Sequence, residues 1–205
     1  MWRALIKTTL MFYIPVILGS IRRNRESAKV AEFAVGYLRR LERITTELLD
    51  LKEFNLPMME ERLRFREDAP AGALELSARI NRADSIVIVT PEYSSGYPGA
   101  LKNALDYLKP ECRRKPFGII TVSSAEGGMM CLISLRQVIL HLGGVPIPAT
   151  LPVFRVHESF DADGNPQAAD FQKRAKEFFD ELLWFTEGLA SHRANTARTA
   201  TKGAD

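Results

Sequence analysis

Apolar and polar positions alternate in blocks along the chain. "FYIPVIL" (12–18) is apolar almost throughout and reads as a buried strand. Over 27–43, Ala28, Ala31, Val35, Leu38 and Leu41 share one face of a predicted helix, with Lys29, Glu32 and Arg39 elsewhere. "ITTELLDL" (44–51) is a second strand, and "NLPMMEERLRFREDAP" (55–70) a long irregular connection before a short helix at 71–83. "SIVIVT" (85–90) is β-branched and continuously apolar, as a central parallel strand requires. A helix at 98–109, a strand "FGIITVS" at 117–123 and a helix at 128–142 follow. "GVPIPATLPV" (144–153) is extended, and its prolines point to a sheet edge. A last helix, 166–188, carries Phe171, Ala175, Phe178, Phe179, Leu182 and Phe185. Five strands alternating with helices predict an α/β fold with a parallel, doubly wound sheet.

The two ends need separate treatment. "MWRALIKTTLMFYIPVILGS" begins with positive charge and becomes apolar, as secretory signals do. It has no small-x-small cleavage site, and Leu10 to Leu18 is shorter than the roughly 20 residues that span a bilayer. The segment is therefore read as a first core strand, with residues 1–10 as an extension and Met11 as a candidate start. No membrane partner is expected. Residues 191–205 are small and polar and are expected to be disordered, leaving 11–190 as one domain.

Composition narrows the function classes. A chain of 205 residues, 46% hydrophobic, buries one sizeable core. Its 28 Lys plus Arg against 25 Asp plus Glu give a net charge of +3, too mild for a nucleic-acid partner. Cys112 and Cys131 form no CxxC and no metal-ligand spacing with the three histidines. They read as reduced thiols of a cytoplasmic protein, with no metal site. His141, His157 and His192 read as structural or surface residues.

Doubly wound sheets bind ligands beyond the carboxyl ends of their strands, near the switch in strand order. Three turns fall there. "GSIRRNRES" (19–27) has a glycine, two hydroxyls, three arginines and a helix N-terminus, a set that suits a dianionic phosphate. The competing reading is a solvated charged loop with an ordinary cap. The turn is neither GxGxxG nor GxxxxGK[ST]. "PEYSSGYPG" (91–99) offers amides, the Tyr93 ring and glycines that let a flat ligand approach; taken alone it also fits a plain strand-to-helix loop. "SSAEGG" (123–128) adds two glycines and Glu126, a functional acid or a solvated loop charge. Side by side, the three turns describe a site for a phosphorylated planar ring.

These residues resemble a known family. "GSIRRNRESAKVAEF", "VTPEYSSGYPGALKNALDYL", "GGMMCLISLRQVILHLGGVPIP" and "FDADGNP" are similar to the phosphate loop, ring loop, later glycine pair with its helix, and final loop of the NADPH-dependent FMN reductases. The resemblance covers most of 12–187. It implies a three-layer flavodoxin-like fold with strand order 2-1-3-4-5, bound FMN, and a homodimer or homotetramer. Carried over, Gly19, Ser20, Arg22, Arg25 and Ser27 form the phosphate loop. Pro91, Glu92, Tyr93 and Ser94 border the ring, chiefly through backbone atoms, and Ser123, Ser124 and Gly127 approach it from the third turn. Glu26 is an acid in the phosphate loop, and it must point away from a bound phosphate.

The resemblance also implies an activity. NADPH or NADH passes hydride through FMN to a small acceptor such as a quinone, free flavin or azo compound, in a ping-pong scheme. The cofactor carries the redox chemistry, so no catalytic side chain is expected. Two alternatives are a flavodoxin-like electron carrier and a non-catalytic module that has lost flavin.

Overall fold

The computed structural model describes residues 11–125 and 127–202, the last of these (195 and 197–202) in backbone only. The expected extension at 1–10 and Glu126 lie outside the described residues. The elements in chain order are β1 (Phe12–Tyr13), β2 (Val16–Leu18), α1 (Ser27–Arg39), β3 (Ile44–Thr45) and β4 (Leu48–Asp50). Then come α2 (Ala71–Arg82), β5 (Ile86–Pro91), α3 (Gly99–Tyr107), β6 (Pro116–Val122), α4 (Met129–His141) and β7 (Val145–Val153). A short α5 (Val156–Ser159) and a long α6 (Phe171–Lys202) complete the chain.

The main sheet is parallel, in the order β4-β2-β5-β6-β7. β1 pairs with β3, also in parallel. Pro15 has no N–H to give, so the first strand is interrupted, but the ladder continues across it. Ile14 donates to the Thr45 carbonyl and Val16 to the Glu47 carbonyl, both at 2.9 Å. With β1–β2 taken as one strand and β3–β4 as another, the order is the expected 2-1-3-4-5.

Every residue of β5 and β6 is buried, because helices cover both faces. On one face α1 and α6 pack Val30, Ala34, Val35, Phe178 and Leu182 against Val87, Val89 and Ile120. On the other, α2, α3 and α4 bring Leu76, Leu101, Leu105 and Leu135 against Ile17, Ile88 and Ile119. Tyr37 of α1 stacks on Phe179 of α6 with ring centroids 4.4 Å apart. Thr186 of α6 donates to the buried Ser85 hydroxyl or accepts from it at 2.8 Å, fixing the helix to the start of β5.

β7 is the predicted edge strand. Ile147, Pro148 and Ala149 fall in a register irregularity against β6. Side chains from the flanking helices take their backbone groups. Arg136 donates to the carbonyls of Ile147 (2.8 Å) and Pro148 (2.7 Å), and Glu181 accepts the Ala149 N–H at 2.8 Å. Arg174 donates to the Pro152 carbonyl at 3.1 Å.

The last helix differs from expectation at both ends. It begins at Phe171 rather than 166, because Asp161 accepts the Asn165 N–H and Phe160 bridges Pro166, closing a turn in between. It also runs through Gly188 to Lys202, where disorder was expected from Ser191. No proline or further glycine stops it before Gly203. Arg193 anchors the added length by donating to the carbonyls of Arg114 (2.8 Å) and Asp84 (3.0 Å).

Candidate functional site

The carboxyl ends of β2, β5, β6 and β7 open on a cavity of about 340 Å³. Its wall includes Arg22, Arg25 and Ser27 from the first turn, Pro91, Glu92 and Tyr93 from the second, and Ser123 and Ser124 from the third. Eight of the twelve predicted site residues thus meet in one place. Gly19, Ser20, Ser94 and Gly127 stand behind the wall or beside it. Asn24, Glu26, Val122 and Val156 also line the cavity, although sequence reasoning did not choose them. Val156 sits on α5, after the last strand. The rule that ligands lie beyond strand ends applies to that turn as well.

The first turn is organised around Ser20, which is fully buried. Its hydroxyl accepts the Arg22 N–H at 3.3 Å and lies 2.9 Å from the Tyr93 hydroxyl. Its carbonyl accepts Arg25 Nη1 at 2.8 Å. Arg25 Nη2 is paired with Asp50 at the end of β4, and both side chains are mostly buried. Gly19 is closely packed here. A Cβ would lie 3.0 Å from Leu101 Cδ2 and 3.4 Å from the Val89 carbonyl oxygen.

The charges of this turn are partly spoken for. Glu26 pairs with Lys29 at 2.8 Å, one helical turn away, so its carboxylate is compensated within α1. Arg25 is compensated by Asp50. That leaves Arg22 and Arg23 as the exposed guanidiniums of the loop. The Arg22 guanidinium lies 5.9 Å from the centroid of the Tyr93 ring. Ser27, the first residue of α1, is 3% exposed, and among the described residues its Oγ has no hydrogen-bond partner. A buried hydroxyl without a partner is costly. It lines the cavity; the next two amides, of Ala28 and Lys29, already donate to the Arg25 and Glu26 carbonyls at 3.1 and 3.2 Å. An anionic oxygen at this point satisfies the hydroxyl, with the positive end of the α1 dipole behind it. The residues present fit a phosphomonoester.

The second turn is tight. Tyr93 and Gly96 exchange two backbone hydrogen bonds, 2.7 and 3.0 Å. The residues between them, Ser94 and Ser95, both have positive φ (48° and 62°), the geometry of a type I′ turn. Non-glycine residues are held there at a cost that surrounding structure must offset. Glu92 makes one such link. Its carboxylate accepts the Cys131 N–H at 2.9 Å, capping the N-terminus of α4 from a different turn.

The third turn is pinned to the same cap. Ser123 Oγ accepts the Ala125 N–H at 3.1 Å, and the Ser123 carbonyl accepts the Val156 N–H at 3.0 Å. Gly127 packs against Glu92 and Ser123; a Cβ there would lie 3.3 Å from Ser123 Oγ and 3.4 Å from Glu92 Oε1. Gly128 has φ +101°, and a Cβ would lie 2.7 Å from Thr121 Oγ1, so this position belongs to glycine. Cys131 and Cys112 are buried and unpaired, and burial pushes each thiol up to about 12. Among the described residues no group of His, Cys, Asp and Glu is placed to hold a metal ion, and no helix is long and apolar enough to cross a membrane.

Comparison with known proteins gives consistent findings. A family model described as NADPH-dependent FMN reductase matches residues 13–158. The FMN-dependent NADPH-azoreductase of Staphylococcus aureus is 28% identical over 179 residues, covering 83% of this chain and 93% of that protein. The NAD(P)H-dependent FMN reductase of Saccharomyces cerevisiae is 27% identical over 172 residues, covering 70% and 90%. Among solved structures, the flavoenzyme NAD(P)H:(acceptor) oxidoreductase FerB from Paracoccus denitrificans superposes with a TM-score of 0.73 at 27% identity. That match covers 89% of this chain and 99% of FerB.

Proposed function

Because the chain belongs to the NADPH-dependent FMN reductase family, we propose that the cavity at the carboxyl ends of β2, β5 and β6 is its FMN site. The protein is an FMN-dependent NAD(P)H oxidoreductase, as its family and relatives are. The unpartnered Ser27 hydroxyl at the head of α1, beside the uncompensated Arg22, is the observation that carries the placement. In this reading Arg22, Asn24, Ser27 and the positive end of the α1 dipole hold the phosphate, with Gly19 and Ser20 shaping the turn beneath it. Pro91, Glu92, Tyr93 and Ser94 border the ring on one side, and Ser123, Ser124 and Gly127 on the other.

When bound, FMN supplies hydride acceptance and release, and the protein needs no acid or base of its own. The chain's residues position and enclose. The Glu92 carboxylate ties the second turn to the N-terminus of α4, just after the third, and would so hold both turns in place to line a bound ring and stabilise negative charge developing on it. NAD(P)H and the acceptor would use the same open side of the cavity in turn, a ping-pong order, with a quinone, free flavin or azo compound as the acceptor class.

The exposed Met129, Met130, Ile133 and Leu140 put apolar surface on the outer side of α4, beside the exposed Gln137 and His141. Clustered exposed apolar side chains of this kind favour burial against another chain, which supports a homodimer or homotetramer. The unpaired, buried cysteines support a cytoplasmic placement.

The test is a visible spectrum of the purified chain before and after anaerobic NADPH, with Arg22→Ala and Ser27→Ala measured beside it. A flavin band that bleaches in the wild type, with FMN affinity at least about tenfold weaker in Arg22→Ala, is the expected result. Wild-type FMN affinity in both variants sinks the placement of the phosphate.

A further inference from the structure

Arg25 is one of three arginines in the proposed phosphate turn, yet its guanidinium is already committed. Nη1 donates to the Ser20 carbonyl at 2.8 Å, and Nη2 pairs with Asp50. Asp50 ends β4, where it is the register partner of Leu18, the last residue of β2. Its other oxygen accepts the Lys52 N–H at 3.0 Å, so the carboxylate is held from two sides. The Arg25 and Asp50 side chains are only 14% and 12% exposed. A pair so enclosed is oriented by its surroundings rather than by solvent.

The connection runs on from Arg25. The Ser20 carbonyl it holds belongs to the residue whose hydroxyl accepts the Arg22 N–H and meets the Tyr93 hydroxyl. A single line of contacts therefore joins the end of β4 to the first turn and to the second. Along it, Asp50 and Arg25 fix the backbone from Ser20 to Arg25, the stretch that must present its amides to an anion.

We propose that Asp50 is a positioning residue for the cofactor phosphate: acting through Arg25, it holds the Ser20–Arg25 turn in its anion-binding shape before FMN arrives. This rests on the reading of the cavity as the FMN site. Preformation matters because ordering a six-residue turn at the moment of binding subtracts from affinity. It also explains how an acid sits beside a phosphate site without opposing it, since Asp50 is neutralised by Arg25.

The experiment compares two flavins. The full-length chain, stripped of flavin, is titrated with FMN and with riboflavin, which lacks the phosphate, and quenching of flavin fluorescence gives each Kd. Asp50→Asn and Arg25→Gln are each expected to raise the FMN Kd at least about tenfold, with riboflavin affinity unchanged. The double variant, which leaves no unpaired charge behind, is expected to lose no more than either single variant, and Asp50→Glu to recover much of the loss. Unchanged FMN affinity in Asp50→Asn overturns the proposal. So does an equal loss for FMN and riboflavin, which marks a general structural role, or additive losses in the double variant, which make Arg25 a phosphate ligand in its own right. Arg22→Ala separates the two readings. If it weakens FMN while Asp50→Asn does not, only the positioning role falls; if neither weakens FMN, the site placement falls with it.

Discussion

The hydroxyls of Tyr93 and Ser20 meet at 2.9 Å, tying the turn after β5 to the turn after β2. Neither turn has a helix or strand of its own at that point, so the tie sets the gap between them. Tyr93→Phe removes it while keeping the ring beside Arg22. The expected loss is about 1 kcal/mol of stability, read by urea unfolding, with FMN binding weakened several-fold in the same titration. Wild-type values for both mean that the turns are spaced by packing alone.

Glu92 acts on the other side of the same turn. Its carboxylate replaces the side-chain cap that Gly128 cannot give to α4. Glu92→Ala is expected to cost about 1 kcal/mol. Glu92→Gln keeps an acceptor but loses the charge at the helix N-terminus, and is expected to cost about 0.5 kcal/mol. Hydrogen exchange at the Cys131 amide rises in both, more in the alanine variant, and an unaltered rate contradicts the cap.

Gly128→Ala places a methyl group 2.7 Å from Thr121 Oγ1 on a residue with φ +101°. Both faults act together, and the expected destabilisation is about 2 kcal/mol, measured by thermal unfolding. Thr121→Ala in the same background removes the Oγ1 contact but leaves the residue-121 Cβ at 2.9 Å and the dihedral unchanged, so it restores only a small part of the loss.

Lys115 predicts a pH dependence. Its ammonium is buried, donating to the Ile80 and Asn81 carbonyls at 2.6 Å each. Burial, and then the nearby Arg193, pull it down to about 8. A lysine depressed in the folded state binds its proton more weakly there than in the unfolded chain. Its penalty is therefore full below pH 8 and is relieved as pH rises from about 8 towards the unfolded value. The stability of the wild type relative to Lys115→Met is expected to rise over that window, by at most about 1.4 kcal/mol per pH unit. A flat difference rules the shift out.

Much of this was legible in the amino-acid order because the strands announce themselves. "SIVIVT" and "FGIITVS" are buried on both sides and stand between polar turns, so their place in the sheet follows from composition alone. Once the strands are placed, the three turns at their carboxyl ends are fixed too, and the cavity lies among them. Long-range pairings left no such trace. Arg25 and Asp50 are 25 residues apart, and nothing local distinguishes an arginine that holds a carbonyl from one that waits for a phosphate. The tail from Ser191 read as disordered because its residues are small and polar, but Arg193 reaches the far end of the sheet and anchors the helix there. Val156 escaped notice because its helix spans only four residues, too few for a periodic pattern.

The guarding of β7 has a consequence for how the chain is made. Arg136 comes from the helix before this strand, but Glu181 and Arg174 come from the helix after it. On the ribosome, β7 therefore emerges before two of its three guards exist. A chain cut short near residue 170 presents the Ala149 N–H and the Pro152 carbonyl uncovered, and two such chains can pair through them. The prolines at 146, 148 and 152, which cannot donate to a neighbouring strand, are the protection already in place during that interval.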